Sequence, residues 1–316
     1  MRVIDSDKIL PRLDPMTLVE ALRRGHREGI DAVERILLSE TMTGDANNLL
    51  IWPAWKFGGA LGAKLVSIFP GNEKRGLGPS IHSVYMLFDG DDGQPLSVIT
   101  GESFTRYKTA ADSALGAIFL ARPNSEVLLV AGAGTQAATH IKLFRAACPS
   151  IRRIIIWNRT FAKALKLARG LALSGVVSVA HENLGDAVRD ADIVSCLTSA
   201  ASPILQGGWL KPGTHVDLVG SFTPEMREAD DEAIRRSRLF VDSRRFTVEH
   251  CGDVSQPIAN GTITAADVIA DLFDLCAERA MGRQTDTEIT LFKNGGGGHL
   301  DLMIARALQN EIDFSH

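Results

Sequence analysis

Residues 127–137 read VLLVAGAGTQA, continue as ATHIKLFRAA, and lead to RRIIIWNRT at 152–160. An apolar run of strand length, a glycine turn, a helical pattern and a second apolar run describe a β-α-β unit. Gly132, Ala133, Gly134, Thr135, Gln136 and Ala137 form a G-x-G-x-x-A at the turn. The glycines permit a tight bend and close backbone approach, Ala137 lets helix pack on strand, and the helix N-terminus can receive a pyrophosphate. The alternative is a plain structural turn. Further strands at 176–180, 192–198, 214–221 and 238–243 alternate with helical patterns, which predicts a doubly wound parallel sheet and an α/β fold.

The second strand closes on Trp157-Asn158-Arg159-Thr160, where NAD sites carry an acidic residue against the ribose. A neutral Asn158 beside a cationic Arg159 removes repulsion toward a 2′-phosphate and supplies a bidentate donor, so NADP(H) is favoured with NAD(H) possible. Thr198 and the triplet Val219-Gly220-Ser221 follow later strands, at the ends where such sheets bind ligands. They read either as the nicotinamide end of the site or as ordinary turn residues. Asp253 reads as a cap or turn residue near the cofactor.

Upstream, helical spacing runs from Pro15 to about Leu38, and residues 49–99 break into short β-rich runs separated by turn clusters, the pattern of an antiparallel sheet. A helix is expected to start at Thr109, as its cap. Lys64 lies within the apolar run ALGAKLVSIF, and Lys108 directly precedes Thr109. Two cations at a helix N-terminus suit a carboxylate, although either lysine alone fits a surface position. His82 reads as a substrate contact or proton relay, or as a partly buried structural histidine. The predicted division is an α+β domain over 1–117, completed by 290–316, and a dinucleotide-binding domain over 118–289.

Composition narrows the classes. The chain has 316 residues and a net charge of −4. Scattered basic residues give no nucleic-acid footprint, and no apolar run approaches the roughly 18 residues of a membrane span. Cys148, Cys196, Cys251 and Cys276 are far apart, without a disulfide or zinc spacing, and His250-Cys251 is too isolated for a metal. A soluble cytoplasmic protein without leader, metal, nucleic-acid partner or membrane partner is expected.

The series GAKLVSIFPGN, GLGPS, YKTAADSALGA, VAGAGTQA, IIIWNRT, GGWLKPGTHVDLVGS, MREADDE, FVDS and LFKN-GG is similar in order and spacing to the ornithine cyclodeaminase/mu-crystallin family, over nearly the whole chain. The resemblance implies a Rossmann domain, a substrate domain that forms a homodimer, and a reaction on an amino or imino acid. Lys64 matches the family lysine that contacts the substrate carboxylate. Lys108 stands where the family has an Arg before Thr-Ala-Ala, keeping the charge and losing the planar fork. Arg35 is the candidate for a second carboxylate-binding Arg, with a longer spacing. Asn294, Gly295 and Gly296 match the Lys-Ser-x-Gly segment that approaches the nicotinamide, while residues 295–298 before His299 also read as a flexible turn.

One departure bears on the reaction. Cyclodeaminases of the family carry Gly-Gly-Asp-x-Pro where this chain has Gly220-Ser221-Phe222-Thr223-Pro224. Phe222 cannot move protons, whereas ammonia loss and ring closure need repeated proton transfer. The expected activity is NAD(P)H-dependent reduction of a cyclic ketimine carboxylate, Δ1-pyrroline-2-carboxylate or Δ1-piperideine-2-carboxylate, to L-proline or L-pipecolate. Ornithine cyclodeamination with bound NAD, and a non-catalytic NADP-binding role like that of crystallin members, are the alternatives.

Overall fold

In a computed structural model describing residues 1–40, 47–171 and 174–313, the chain divides into two units. The first holds Met1–Lys108 with the residues from Gly297 onward, and the second holds Thr109–Gly296.

Seven strands build the sheet of the first unit: β1 (Arg2–Asp5), β2 (Ala32–Val33), β3 (Ile36–Glu40), β4 (Asn47–Lys56), β5 (Ala60–Ile68), β6 (Ile81–Asp89) and β7 (Pro95–Thr100). Their order is β1-β7-β6-β5-β4-β2, with β3 also on β4. Neighbours run antiparallel except β1 beside β7. Side chains alternate between faces. Gly62, Lys64 and Val66 of β5 thus share a buried face with Tyr85 and Leu87 of β6, and the Gly298–Asp313 helix lies against β4, β5 and β6. The opposite face presents Ile36, Leu38, Trp55 and Val84, all exposed.

Two expectations for this unit are corrected. The opening helix ends at Glu28 rather than near Leu38, because Gly29 turns the chain with φ 75° and residues 36–40 pair with β4. The helix expected from Thr109 spans Ser103–Leu120. Its N-terminus is held from far upstream: Asp7 Oδ1 accepts the Ser103 amide at 2.8 Å, and Ser6 Oγ accepts that of Phe104 at 3.1 Å. Lys108 is therefore the sixth residue of the helix, beyond the first turn in which the helix dipole acts.

The second unit carries eight parallel strands: β8 (Val127–Ala131), β9 (Arg153–Trp157), β10 (Val177–Ala180), β11 (Ile193–Cys196), β12 (His215–Leu218), β13 (Ser237–Val241), β14 (Val268–Asp271) and β15 (Ile289–Lys293). The order is β10-β9-β8-β11-β12-β15-β13-β14. Both faces are covered. Leu128, Val130, Ile154 and Ile156 pack with Ile141 and Phe144 of the Ala137–Ala147 helix, while Leu129, Ala131, Ile155 and Val194 pack with Leu184, Val188 and Ile234. Two-sided burial explains the near-continuous apolar strands.

The predicted boundaries move accordingly. Residues 109–117 fall in the second unit, and the strand near 290 joins the parallel sheet between β12 and β13 instead of completing the first unit. The segment TAADVIADLFDLCAERAM has a helical composition, but it holds a short 3-10 turn, β14 and a short Leu272–Cys276 helix. The helical pattern FAKALKLARGLAL at 161–173 forms a helix over Phe161–Gly170, and residues 172–173 lie outside the described residues.

Adjacent glycines before Trp209 make a sharp test of this packing. A Cβ on Gly207 would run into the backbone of Glu232 and Ala233, whereas one on Gly208 meets nothing within 4 Å. Gly207→Ala should cost about 1–3 kcal/mol and Gly208→Ala less than about 0.5 kcal/mol. Chemical denaturation of the two variants checks the difference.

Candidate active site

In the first unit, Lys64 lies between Trp52 of β4 and Tyr85 of β6 in register. Its ammonium donates to Thr105 Oγ1 at 2.7 Å and stands 3.6 Å from Asp301 Oδ1. Lys108 Nζ reaches the same oxygen at 2.6 Å and donates to the Gly297 carbonyl at 3.2 Å. Side-chain exposure is 4% for Lys64, 3% for Lys108 and 0% for Asp301, so these charges are held out of water. Lys108 also lies 5.6 Å over the Trp52 ring, and Lys64 lies 5.9 Å from the centre of Phe104. Both contacts add cation–π attraction.

Burial brings the Lys64 ammonium down to about 8; Asp301 opposes that fall and the charge of Lys108 adds to it. His26 and His299 meet edge to face at 5.7 Å. Burial drives His26 down to about 4 and His299 well below its ordinary value, so both are neutral at pH 7. Lys64, Lys108 and Asp301 together hold one more positive than negative charge. That surplus, in a site of low polarity, suits a monoanion such as a carboxylate.

Two predicted residues, His82 and Arg35, are placed elsewhere. His82 is exposed and pairs with Ser67, which puts it on the sheet face opposite Lys64. Arg35 is exposed between β2 and β3. Thr109 is inside a helix, and its carbonyl accepts the Asn294 amide at 2.9 Å.

In the second unit, the glycine loop follows β8. Gly132 has φ 125°, and a Cβ there would strike the Leu197 carbonyl; beside Gly134 a Cβ would meet nothing within 4 Å. No side chain caps the Ala137–Ala147 helix, whose N-terminal turn follows Gln136. A tight turn, an open approach at Gly134 and an uncapped helix N-terminus together suit a pyrophosphate. Thr135 is exposed and Ala137 fully buried. Asn158 serves the loop itself: its Oδ1 accepts the Ala133 amide at 3.1 Å and its Nδ2 donates to the Thr160 carbonyl at 3.0 Å. Arg159 and Thr160 are exposed.

At the carboxyl ends of β11 and β12, buried carboxylates that the sequence did not reveal shape the loops. Glu228 accepts from the Thr198 amide and hydroxyl at 2.7 and 2.8 Å and from the Gly220 amide at 2.7 Å. Asp253 is no mere surface cap. It is fully buried, accepts the Glu228 amide at 2.7 Å, and lies 3.4 Å from Lys293. Asp242 accepts the amides of Gly295 and Gly296 at 3.0 and 2.6 Å. Burial pushes the Asp242 carboxyl up to about 6; burial and then the charge of Asp253 push Glu228 up to about 7. Val219 bonds back to the Cys196 carbonyl at 3.0 Å, and the Ser221 hydroxyl donates to that of Met226 at 2.7 Å. Asn294 Nδ2 also donates to Ser113 Oγ at 3.0 Å.

The model of the ornithine cyclodeaminase/mu-crystallin family matches residues 12–314. The chain belongs to that family. A Δ1-pyrroline-2-carboxylate reductase of Paracoccus denitrificans is 45% identical over 294 residues, 93% of this chain and 92% of that protein. The ketimine reductase mu-crystallin of Rattus norvegicus is 36% identical over 249 residues, 78% of this chain and 74% of that protein. Among solved structures, the Thermococcus litoralis Δ1-pyrroline-2-carboxylate reductase in complex with NADH and L-proline superposes with a TM-score of 0.88 at 27% identity, covering 100% of this chain and 98% of that one. Within this family member, Asp301 is the residue that local reading missed. Its signal was a lone acid on the buried stripe of Ile304, Ala305 and Leu308.

Removing that acid isolates its role. Asp301→Asn leaves two buried ammoniums without their counter-charge, which should cost about 3–5 kcal/mol. Without Asp301, Lys64 binds its proton less tightly in the folded state than in the wild type, while the unfolded state is unchanged. The deficit should therefore shrink as pH rises through about 8. Thermal melts at pH 7 and pH 9.5 check the trend, and a constant deficit would refute it.

Proposed function

We propose that this family member reduces a cyclic ketimine carboxylate, Δ1-pyrroline-2-carboxylate or Δ1-piperideine-2-carboxylate, to L-proline or L-pipecolate. One observation carries the reading: two buried lysines share a single carboxylate oxygen and leave one positive charge for the substrate's carboxylate. The names of the reductase relatives and the NADH and L-proline held by the Thermococcus litoralis protein support the same chemistry.

A bound reduced nicotinamide would supply hydride to the imine carbon. The chain's own tasks are to hold and orient. Lys64 and Lys108 fix the carboxylate, and burial strengthens that grip. An imine that arrives protonated needs no acid from the protein, and the amine formed by hydride addition takes its further proton from solvent. Phe222, 67% exposed in the loop after β12, offers no proton at the position where cyclodeaminases of the family carry an acid.

NADP(H) is the proposed cofactor, with Arg159 as the 2′-phosphate partner and Asn158 as a strut of the loop rather than a ribose ligand. The apolar outer face of the first unit, with Ile36, Leu38, Trp55 and Val84, is the proposed homodimer surface. All four cysteines are free, which suits a reducing compartment such as the cytoplasm. Among the described residues, no helix is long and apolar enough to cross a membrane.

Cofactor oxidation with each cyclic imine, set against ammonia release from ornithine, tests the reaction. Imine-dependent oxidation of NADPH or NADH is expected, with no ammonia. The methyl ester of the imine acid should react at least about tenfold more slowly than the acid, as the loss of a charge-assisted contact requires. Equal rates would remove the carboxylate role of the lysines. Arg159→Ala should weaken NADPH about tenfold or more while NADH changes little, and equal losses would refute the 2′-phosphate assignment.

A further inference from the structure

In the second unit, the loops after β11 and β12 are joined through one side chain. Glu228 Oε1 receives both the amide and the hydroxyl of Thr198, and Oε2 receives the amide of Gly220. Gly220 is packed so tightly that a Cβ would collide with the Thr198 carbonyl and with Glu228 itself. The Glu228 amide is anchored in turn on Asp253, beside Lys293, whose ammonium donates to the Leu218 carbonyl at 3.1 Å. A fully buried carboxylate is costly and persists where several donors converge on it. Here all three donors come from the two loops, at the strand ends where open α/β sheets bind ligands.

We infer that Glu228 is a positioning residue for the nicotinamide end of the cofactor, fixing the Thr198 and Gly220 loops as one surface against which the ring is seated. The inference rests on the cofactor reading proposed above. It also explains why a carboxylate is needed. Glutamine offers one acceptor oxygen, and its amide group would face one of the three donors. Glu228 acts through the loops and touches neither substrate nor reacting atoms.

Calorimetric binding of NADH and of ADP-ribose, which lacks the nicotinamide, separates this role from general stability. Glu228→Gln should weaken NADH about tenfold or more and leave ADP-ribose within about twofold. Equal weakening of both ligands, or unchanged NADH affinity, would overturn the inference. Should Glu228→Gln fail to fold, Thr198→Val and Thr198→Ser decide. The valine removes one of the three bonds and should weaken NADH several-fold, whereas the serine keeps the hydroxyl and should bind like the wild type. Matching NADH affinities for those two variants would overturn it as well. If the wild type binds NADH more tightly than ADP-ribose yet reduces no cyclic imine, the reaction fails and the positioning role stands. If the wild type binds the two ligands equally, the positioning role falls.

Discussion

Burying an ammonium group costs several kcal/mol unless a counter-charge meets it, and the first unit is organised around that constraint. Lys64 comes from the middle of a sheet, Lys108 from a helix and Asp301 from the returning C-terminal segment, yet all three end within one small volume. None could occupy its place alone. The carboxylate opposes the loss of charge that burial imposes on Lys64, and the lysines make the carboxylate tolerable in the core. Trp52 and Phe104 complete the enclosure with ring faces. Such an arrangement stores no great stability, since replacement of buried ion pairs by apolar residues is often neutral. Under the proposed reading its value is chemical, because an unbalanced charge in a dry place is worth more to an incoming anion than the same charge in water.

The second unit solves a related problem with the opposite sign. Loops at the ends of parallel strands leave backbone amides unpaired, and here side-chain oxygens take them up: the half-buried Asn158 under Ala133, and the buried Glu228 under Thr198 and Gly220 and Asp242 under Gly295 and Gly296. A loop tied in this way keeps one shape without the bulk of a second layer of structure. Glycine is required where the tie is close, and Gly220 and Gly132 are such positions.

Legibility followed distance along the chain. The strand, turn and helix around Gly132 lie within about twenty residues, so local pattern was enough to read them. The start of the Ser103–Leu120 helix was misplaced because its caps, Ser6 and Asp7, lie more than ninety positions upstream. Asn158 was read as a ribose neighbour because its partner, the Ala133 amide, is 25 residues away. His82 failed on register, since a one-residue shift in a strand exchanges the faces. Lys64 and Lys108 stood out locally, a cation in an apolar strand and one before a helix, and the resemblance gave them their match, whereas Asp301, which unites them, has no neighbour in sequence that points to them. The acids at 228, 242 and 253 look like ordinary loop charges until the fold removes them from water.

The position of β15 has a consequence for how the molecule is made. This strand is assigned to residues 289–293 and is inserted between β12 and β13, neither of which is otherwise paired on that side. During synthesis, the sheet therefore has a gap until residues 289–293 have left the ribosome, and β13 and β14 wait apart from the strands made before them. The first unit waits longer still, because the Gly298–Asp313 helix that covers its sheet emerges after β15. A nascent chain of this design exposes apolar strand edges until those segments emerge, the condition under which chaperones are most needed.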